Sequence, residues 1–172
     1  MLAVRGERFR AYLPFHATAP VESGRGCLTV ITANDGGFRE GGFYVLDSVG
    51  KLVDYSRDYP GASNPQAAGR DRVAIVSISG EGSGYYATVL TVLCSFGTSY
   101  WVECLSTPLD QNVTSYSDSV VDIWTRTATF VVTDSTIQTV RSGHWERHTR
   151  SVPDRVVAER ALPIDTVRLR LP

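Results

Sequence analysis

The chain has 172 residues, 42% of them hydrophobic and 20% charged, which is enough apolar mass for one substantial core and too much for a disordered chain. Seventeen basic against eighteen acidic residues leave a formal charge of −1 and a pI near 6.3, so no global field holds the chain to nucleic acid or to an anionic membrane. No apolar run reaches the roughly 18 residues of a membrane helix, and charges interrupt the N-terminus before a signal-peptide core forms, so neither export nor a membrane partner is expected.

In chain order one signal dominates: runs of Val, Ile, Thr, Tyr and Phe bounded by clusters of Gly, Pro, Asn, Asp and Ser, the pattern of strands and turns. Residues 27–33 make the first clear strand, ended by Asn34-Asp35-Gly36-Gly37, which tolerate positive φ. Residues 42–47 and 52–55 read as a hairpin closed by Ser48-Val49-Gly50-Lys51. From Arg57 to Arg72 the pattern lapses into a stretch too polar and too rich in Pro and Gly to join a sheet. As the longest irregular segment it is the first candidate for a contact surface, the alternative being a simple surface excursion.

Residues 72–79 alternate weakly, and residues 85–96 are apolar on both faces, as suits a central strand covered from each side. Between them Gly80-Glu81-Gly82-Ser83-Gly84 reads as a turn, not as the elbow of a serine nucleophile. Residues 100–105 return after a turn at Phe96-Gly97-Thr98-Ser99, and residues 106–119 form a polar connection. Residues 120–133 put Val121, Ile123, Thr125, Thr127, Thr129 and Val131 on one side, with Trp124, Ala128, Phe130 and Val132 on the other. Residues 136–141 make one more short strand. Ser151-Val152-Pro153-Asp154 carries a helix-cap pattern that predicts a short helix over 155–162. Residues 164–171 close the chain as an amphipathic strand with Val167, Leu169 and Leu171 on one face.

Eight or nine strands and at most one short helix near the C-terminus predict a single all-β domain over residues 1–172, an antiparallel β-sandwich, jelly roll or barrel. Three cysteines, Cys27, Cys94 and Cys104, fit neither a paired-cysteine zinc site nor a disulfide framework, and reduced buried thiols are expected. Cys94 and Cys104 flank a turn, so an oxidising setting leaves a cross-strand pair open. The register drawn from sequence sets them slightly apart, which argues against it.

The segment His144-Trp145-Glu146-Arg147-His148 is the most metal-like, because strand alternation places His144, Glu146 and His148 on one face. Its spacing is not that of the helical zinc-protease motif, and an exposed polar segment is expected. Asp47, Asp54, Asp58, Asp71 and Glu103 are the candidates for a carboxylate pair, Glu103 beside Trp101 being either a buried acid or, as expected, part of an exposed strand face. Tyr55, Tyr59, Tyr85, Tyr86, Tyr100, Trp101, Trp124 and Trp145 could supply a platform for sugars or single-stranded nucleic acid, although no lysines interleave them for the latter and core packing accounts for most of them. Asn112-Val113-Thr114 matches the glycosylation pattern inside the polar connection and is expected to be unused. No catalytic, cofactor-binding or metal-ligating residue is predicted, and the binding surface stays open.

The Ser/Thr/Val-rich strands, the long polar connections and the closing run Leu162-Pro163-Ile164-Asp165-Thr166-Val167-Arg168-Leu169-Arg170-Leu171-Pro172 together resemble a coat or surface-protrusion protein of a small icosahedral virus. The resemblance implies a jelly roll whose loops and edges contact other subunits, by self-association or on a larger shell protein. It also implies a virion or cytoplasmic location, no cofactor and no catalytic residues. The first 25 residues set Arg5, Arg8, Arg10 and Arg25 against Glu7 and Glu22, unlike the strongly basic arm of an RNA-packaging coat protein, so nucleic acid is not an expected partner. Two rival functions remain: a carbohydrate- or small-ligand-binding β-sandwich module, and an enzyme using an acidic pair or the His144-Glu146-His148 cluster.

Overall fold

The computed structural model describes residues 15–24, 26–34, 41–96 and 100–172. The strands are β1 (Phe15–Ser23), β2 (Gly26–Asn34), β3 (Gly41–Leu46), β4 (Leu52–Ser56), β5 (Ser63–Ala67), β6 (Arg72–Gly82), β7 (Tyr85–Phe96), β8 (Tyr100–Tyr116), β9 (Val120–Val132), β10 (Thr136–Thr149) and β11 (Val152–Arg170). No helix occurs among the described residues. The expected antiparallel all-β architecture forms, as two sheets of which one curls into a half-barrel.

The first sheet runs β1-β2-β3-β4 and the second β11-β10-β9-β8-β7-β6-β5. Hydrogen-bonded neighbours are always neighbours in sequence, so both sheets are meanders, and the non-consecutive pairing of a jelly roll is absent among the described strands. One core lies between the sheets, where Val21, Leu28, Val30, Phe43 and Val45 meet Val73, Ile75, Leu93 and Trp101. A second lies on the opposite face of β6 and β7, where Ala74, Leu90, Val92 and Cys94 join Ala68, Leu109 and Ile137 under Ala128, Phe130, Val132 and Leu171. The two-residue period of a strand sends Val73 and Ile75 to one core and Ala74 to the other. This double coverage is what the two-sided apolar run of β7 records.

The curl of the second sheet has local causes. Strands β8 and β9 pair only over residues 111–116 and 121–126, and beyond Arg126 strand β9 pairs with β10 alone. Where the β8–β9 ladder opens, the Asp110 carboxylate accepts a hydrogen bond from the Ala128 amide at 2.8 Å, so that donor is not left unpaired. The freed ends of β9, β10 and β11 then fold over the second core. Arg72 on β6 ties them down by donating to the carbonyls of Asp134, at 2.9 Å, and of Pro172. Gly69 lets this clasp close: its φ is +90°, and a Cβ there would lie 2.9 Å from Arg72 Nη2.

Four local expectations are corrected. The stretch from Arg57 to Arg72 does join a sheet, through β5, and Ala62 and Ala68 within it are fully buried. Pro65 is tolerated because β5 is the terminal strand of its sheet, where a missing N–H costs no ladder bond on the open side. The helix expected over 155–162 is strand, since the ladder with β10 and the β-branched Val156 and Val157 outweigh the cap signal. The polar connection at 106–119 lies mostly in strand, because β8 continues to Tyr116, and β10 likewise continues past Arg141 to Thr149.

Cys94 and Cys104 are joined as a disulfide with Cα atoms 5.9 Å apart, and Cys27 is an exposed free thiol, so the expectation of three buried reduced thiols fails. The expected offset is real, since Cys94 faces Val102. A β-bulge supplies what the register lacks: Leu93 opposes Glu103 and Val92 opposes Leu105, which leaves Cys104 as the extra residue. Ordinary diagonal neighbours stand about 7–8 Å apart, so the bulge draws Cys104 into bonding range. The turns at 35–37 and 97–99 and the N-terminal charges up to Arg10, with Arg25, lie outside the described residues.

Candidate functional site

Of the described residues from Asp110 to Pro172, only Ile137 and Thr139 are buried. Neither core draws a member from residues 111–127 or 143–166. Among the described residues, the outer parts of β8, β9, β10 and β11 therefore form a four-stranded arm with no second layer over it. A sheet normally needs an apolar face covered by another layer to be stable in water.

Cross-strand pairs hold the arm together. Trp124 on β9 stands directly opposite Trp145 on β10, and Trp145 stands opposite Arg160 on β11. One row further out, Arg147 opposes Asp122 and donates from Nε and Nη2 to its two carboxylate oxygens at 2.8 and 3.0 Å. Those bonds hold the Asp122 carboxyl below its ordinary range, with burial opposing, while the Arg147 charge and a hydrogen bond from Trp145 add to the effect. The guanidinium carbons of Arg147 and Arg160 each lie 5.2 Å from the Trp145 ring centroid, so this indole is already engaged by two cations.

The face carrying these residues is concave. Gln111, Val113, Trp124, Arg126 and Leu162 line an open cleft of about 490 Å³. Gly143 lies between Arg126 and Leu162 in the ladder, and a Cβ on it would collide with the Thr125 carbonyl oxygen. Arg126 and Arg160 have no ion-pair partner among the described residues, whereas Arg147 is matched by Asp122 and Arg141 by Asp165. The face thus combines two indoles with two uncompensated cations.

On the other face strand alternation does bring His144, Glu146 and His148 together. Their Nε2 atoms lie 3.2 and 3.1 Å from the two Glu146 carboxylate oxygens, which makes a local polar cluster. Among the described residues no group of three His, Cys, Asp or Glu is arranged to hold a metal ion.

Four of the candidate carboxylates are taken up in hydrogen bonds. Asp47 accepts from the amides of Val49 and Lys51 in its hairpin turn, and Asp71 from Gly24 at 3.1 Å. Asp54 bridges the two sheets by accepting from the Trp101 amide at 2.6 Å. Asp58 accepts from Ser56 Oγ, and Glu103 is on the exposed side of β8 as expected. Burial, then the charges of Glu103 and Asp58, push the Tyr59 phenol up from its ordinary value.

The aromatic residues are scattered as well. Trp101 is buried in the core, Tyr59 packs on Phe43, and Tyr55 stacks on Tyr44 at 6.3 Å on the first sheet. Tyr85 and Tyr100 are exposed and Tyr86 is half-buried on β7, all elsewhere in the fold, while Trp124 and Trp145 share a face and a register position, as Tyr44 and Tyr55 do on the first sheet. Of the turn expected over Gly80–Gly84 only residues 83–84 turn, since β6 runs on to Gly82 in pairing with β7, and Asn112 sits on β8, not in a loop. Arg126, Arg160 and Asp122 are not legible as site residues, because their convergence depends on β10 continuing past Arg141 and on residues 155–162 being strand. No family model, curated protein or solved structure matches the chain.

Proposed function

We propose that this chain is a non-enzymatic assembly protein, a component or surface element of a protein shell of the viral-capsid kind, which works by burying its outer arm against other protein subunits. The observation that carries the reading is that, among the described residues, no second layer covers residues 111–127 and 143–166. Tyr116, Val156, Val157 and Ile164 are exposed there at 63, 42, 47 and 73%, a density of uncovered apolar side chains that suits a contact surface. Trp and Arg, the residues most often found at binding hot spots, gather on the concave side. The long open edge of β11 carries Arg155, Arg160, Arg168, Arg170 and Pro163, which guard against edge-to-edge strand pairing and favour contact through a face.

Light-scattering mass and electron microscopy of the purified chain, alone and with candidate shell proteins, test the reading. Assembly larger than the 18.8 kDa monomer, or seating on a shell, is expected. A strict monomer that joins no shell component would overturn it.

A further inference from the structure

We infer that the concave face of the outer arm receives an acidic peptide segment of a different protein, an inference that rests on the assembly reading and names the chemistry of its partner. Arg126 adjoins Trp124 along β9, and Arg160 adjoins Trp145 across the β10–β11 ladder, so the two unmatched cations flank the paired indoles. Carboxylates are the groups that a guanidinium fork binds in two-point fashion, and a cleft of about 490 Å³ with Val113, Trp124 and Leu162 in its lining accepts apolar side chains between them.

Two competing occupants fit less well. A second copy of this chain, docked by the same face, would set Arg126 and Arg160 against like charges, because Asp122 is already committed to Arg147. A sugar ring stacks on a free indole face, and of the two indoles here Trp145 is flanked by Arg147 and Arg160 at 5.2 Å each, which leaves Trp124 alone for stacking. An extended peptide needs no such stacking, since its alternate side chains reach the cations and the apolar lining in turn.

The test is fluorescence anisotropy of a labelled oligoglutamate titrated with the whole chain, with oligouronate and polyphosphate as competitors. Binding is expected, weakened by about tenfold or more in the R126E/R160E pair and little changed in R168E/R170E, whose arginines line a separate cleft with Ser135 and Thr136. Arg126→Gln, which removes the charge and keeps most of the bulk, should weaken binding with an unchanged circular dichroism spectrum, and so separates lost contact from lost folding. Absence of binding, equal weakening by R168E/R170E, or stronger displacement by oligouronate or polyphosphate than by unlabelled oligoglutamate would each overturn the inference. If the chain assembles while oligoglutamate neither binds nor competes, the inference fails and the assembly reading stands. If oligoglutamate binds a chain that stays monomeric and joins no shell, the assembly reading fails and the acidic-ligand site stands.

Discussion

Arg147 and Asp122 face each other across the β9–β10 ladder and share two hydrogen bonds, at 2.8 and 3.0 Å, in the outer arm, which draws no member of either core among the described residues. With no layer above it, the arm depends on such pairs for its shape. The lowered Asp122 carboxyl means that this contribution is complete above the usual carboxylate range near pH 4 and is lost as the pH falls through the depressed folded-state value. Denaturation of the wild type and of Asp122→Asn, followed by tryptophan emission, should show the variant weaker at pH 7 and the difference shrinking below about pH 4. A gap that is constant with pH would mean that the carboxylate is not the group concerned.

The disulfide gives a second expectation. Unfolded, unreduced protein should show one reactive thiol, that of Cys27, and three after reduction. Closing a loop of sequence separation 10 stabilises by about 2–3 kcal/mol on the chain-entropy model, so Cys94→Ala with Cys104→Ala should lower stability by that order. Three reactive thiols before reduction would remove the bridge.

Sequence periodicity made the inner half of the fold legible and the outer half much less so. The two-sided run of β7 predicts coverage on both faces, and Val167, Leu169 and Leu171 do turn inward while Arg168 and Arg170 stay exposed. Those residues repeat every second position because a core selects them. Along 111–119 and 155–162 neither core applies the selection, so the outer end of β8 reads as a loop and the first part of β11 as a helix, and their strand character comes from ladder partners distant in sequence. The Trp124–Trp145–Arg160 row was illegible for the same reason. A single bulged residue decides the Cys94–Cys104 pair, and alternation cannot place a bulge.

The clasp between Arg72 and the carbonyls of Asp134 and Pro172 predicts a specific intolerance. Gly69→Ala would force a side chain onto a positive φ and against Arg72 Nη2, and should cost about 1–3 kcal/mol in urea denaturation. The same substitution at Gly50, whose φ is +79° but which faces open space, should cost less. Equal losses would show that the clasp adds nothing.

The contrast between core and arm is itself measurable. Phe43→Ala removes a side chain that is 1% exposed at the sheet interface and should destabilise by about 3–5 kcal/mol. Tyr116→Ser and Ile164→Ser, at positions 63 and 73% exposed, should change the monomer's stability by about 0.5 kcal/mol or less while reducing assembly.

Hydroxyl-radical footprinting of the assembled against the free protein decides most directly whether the outer arm is an interface. Assembly should lower the labelling of Trp124, Trp145, Tyr116 and Ile164 together and leave Tyr55 and Tyr100, on other surfaces, unchanged. Undiminished labelling of the arm, with protection confined to Tyr55, Tyr100 or other residues near the first sheet, would contradict it.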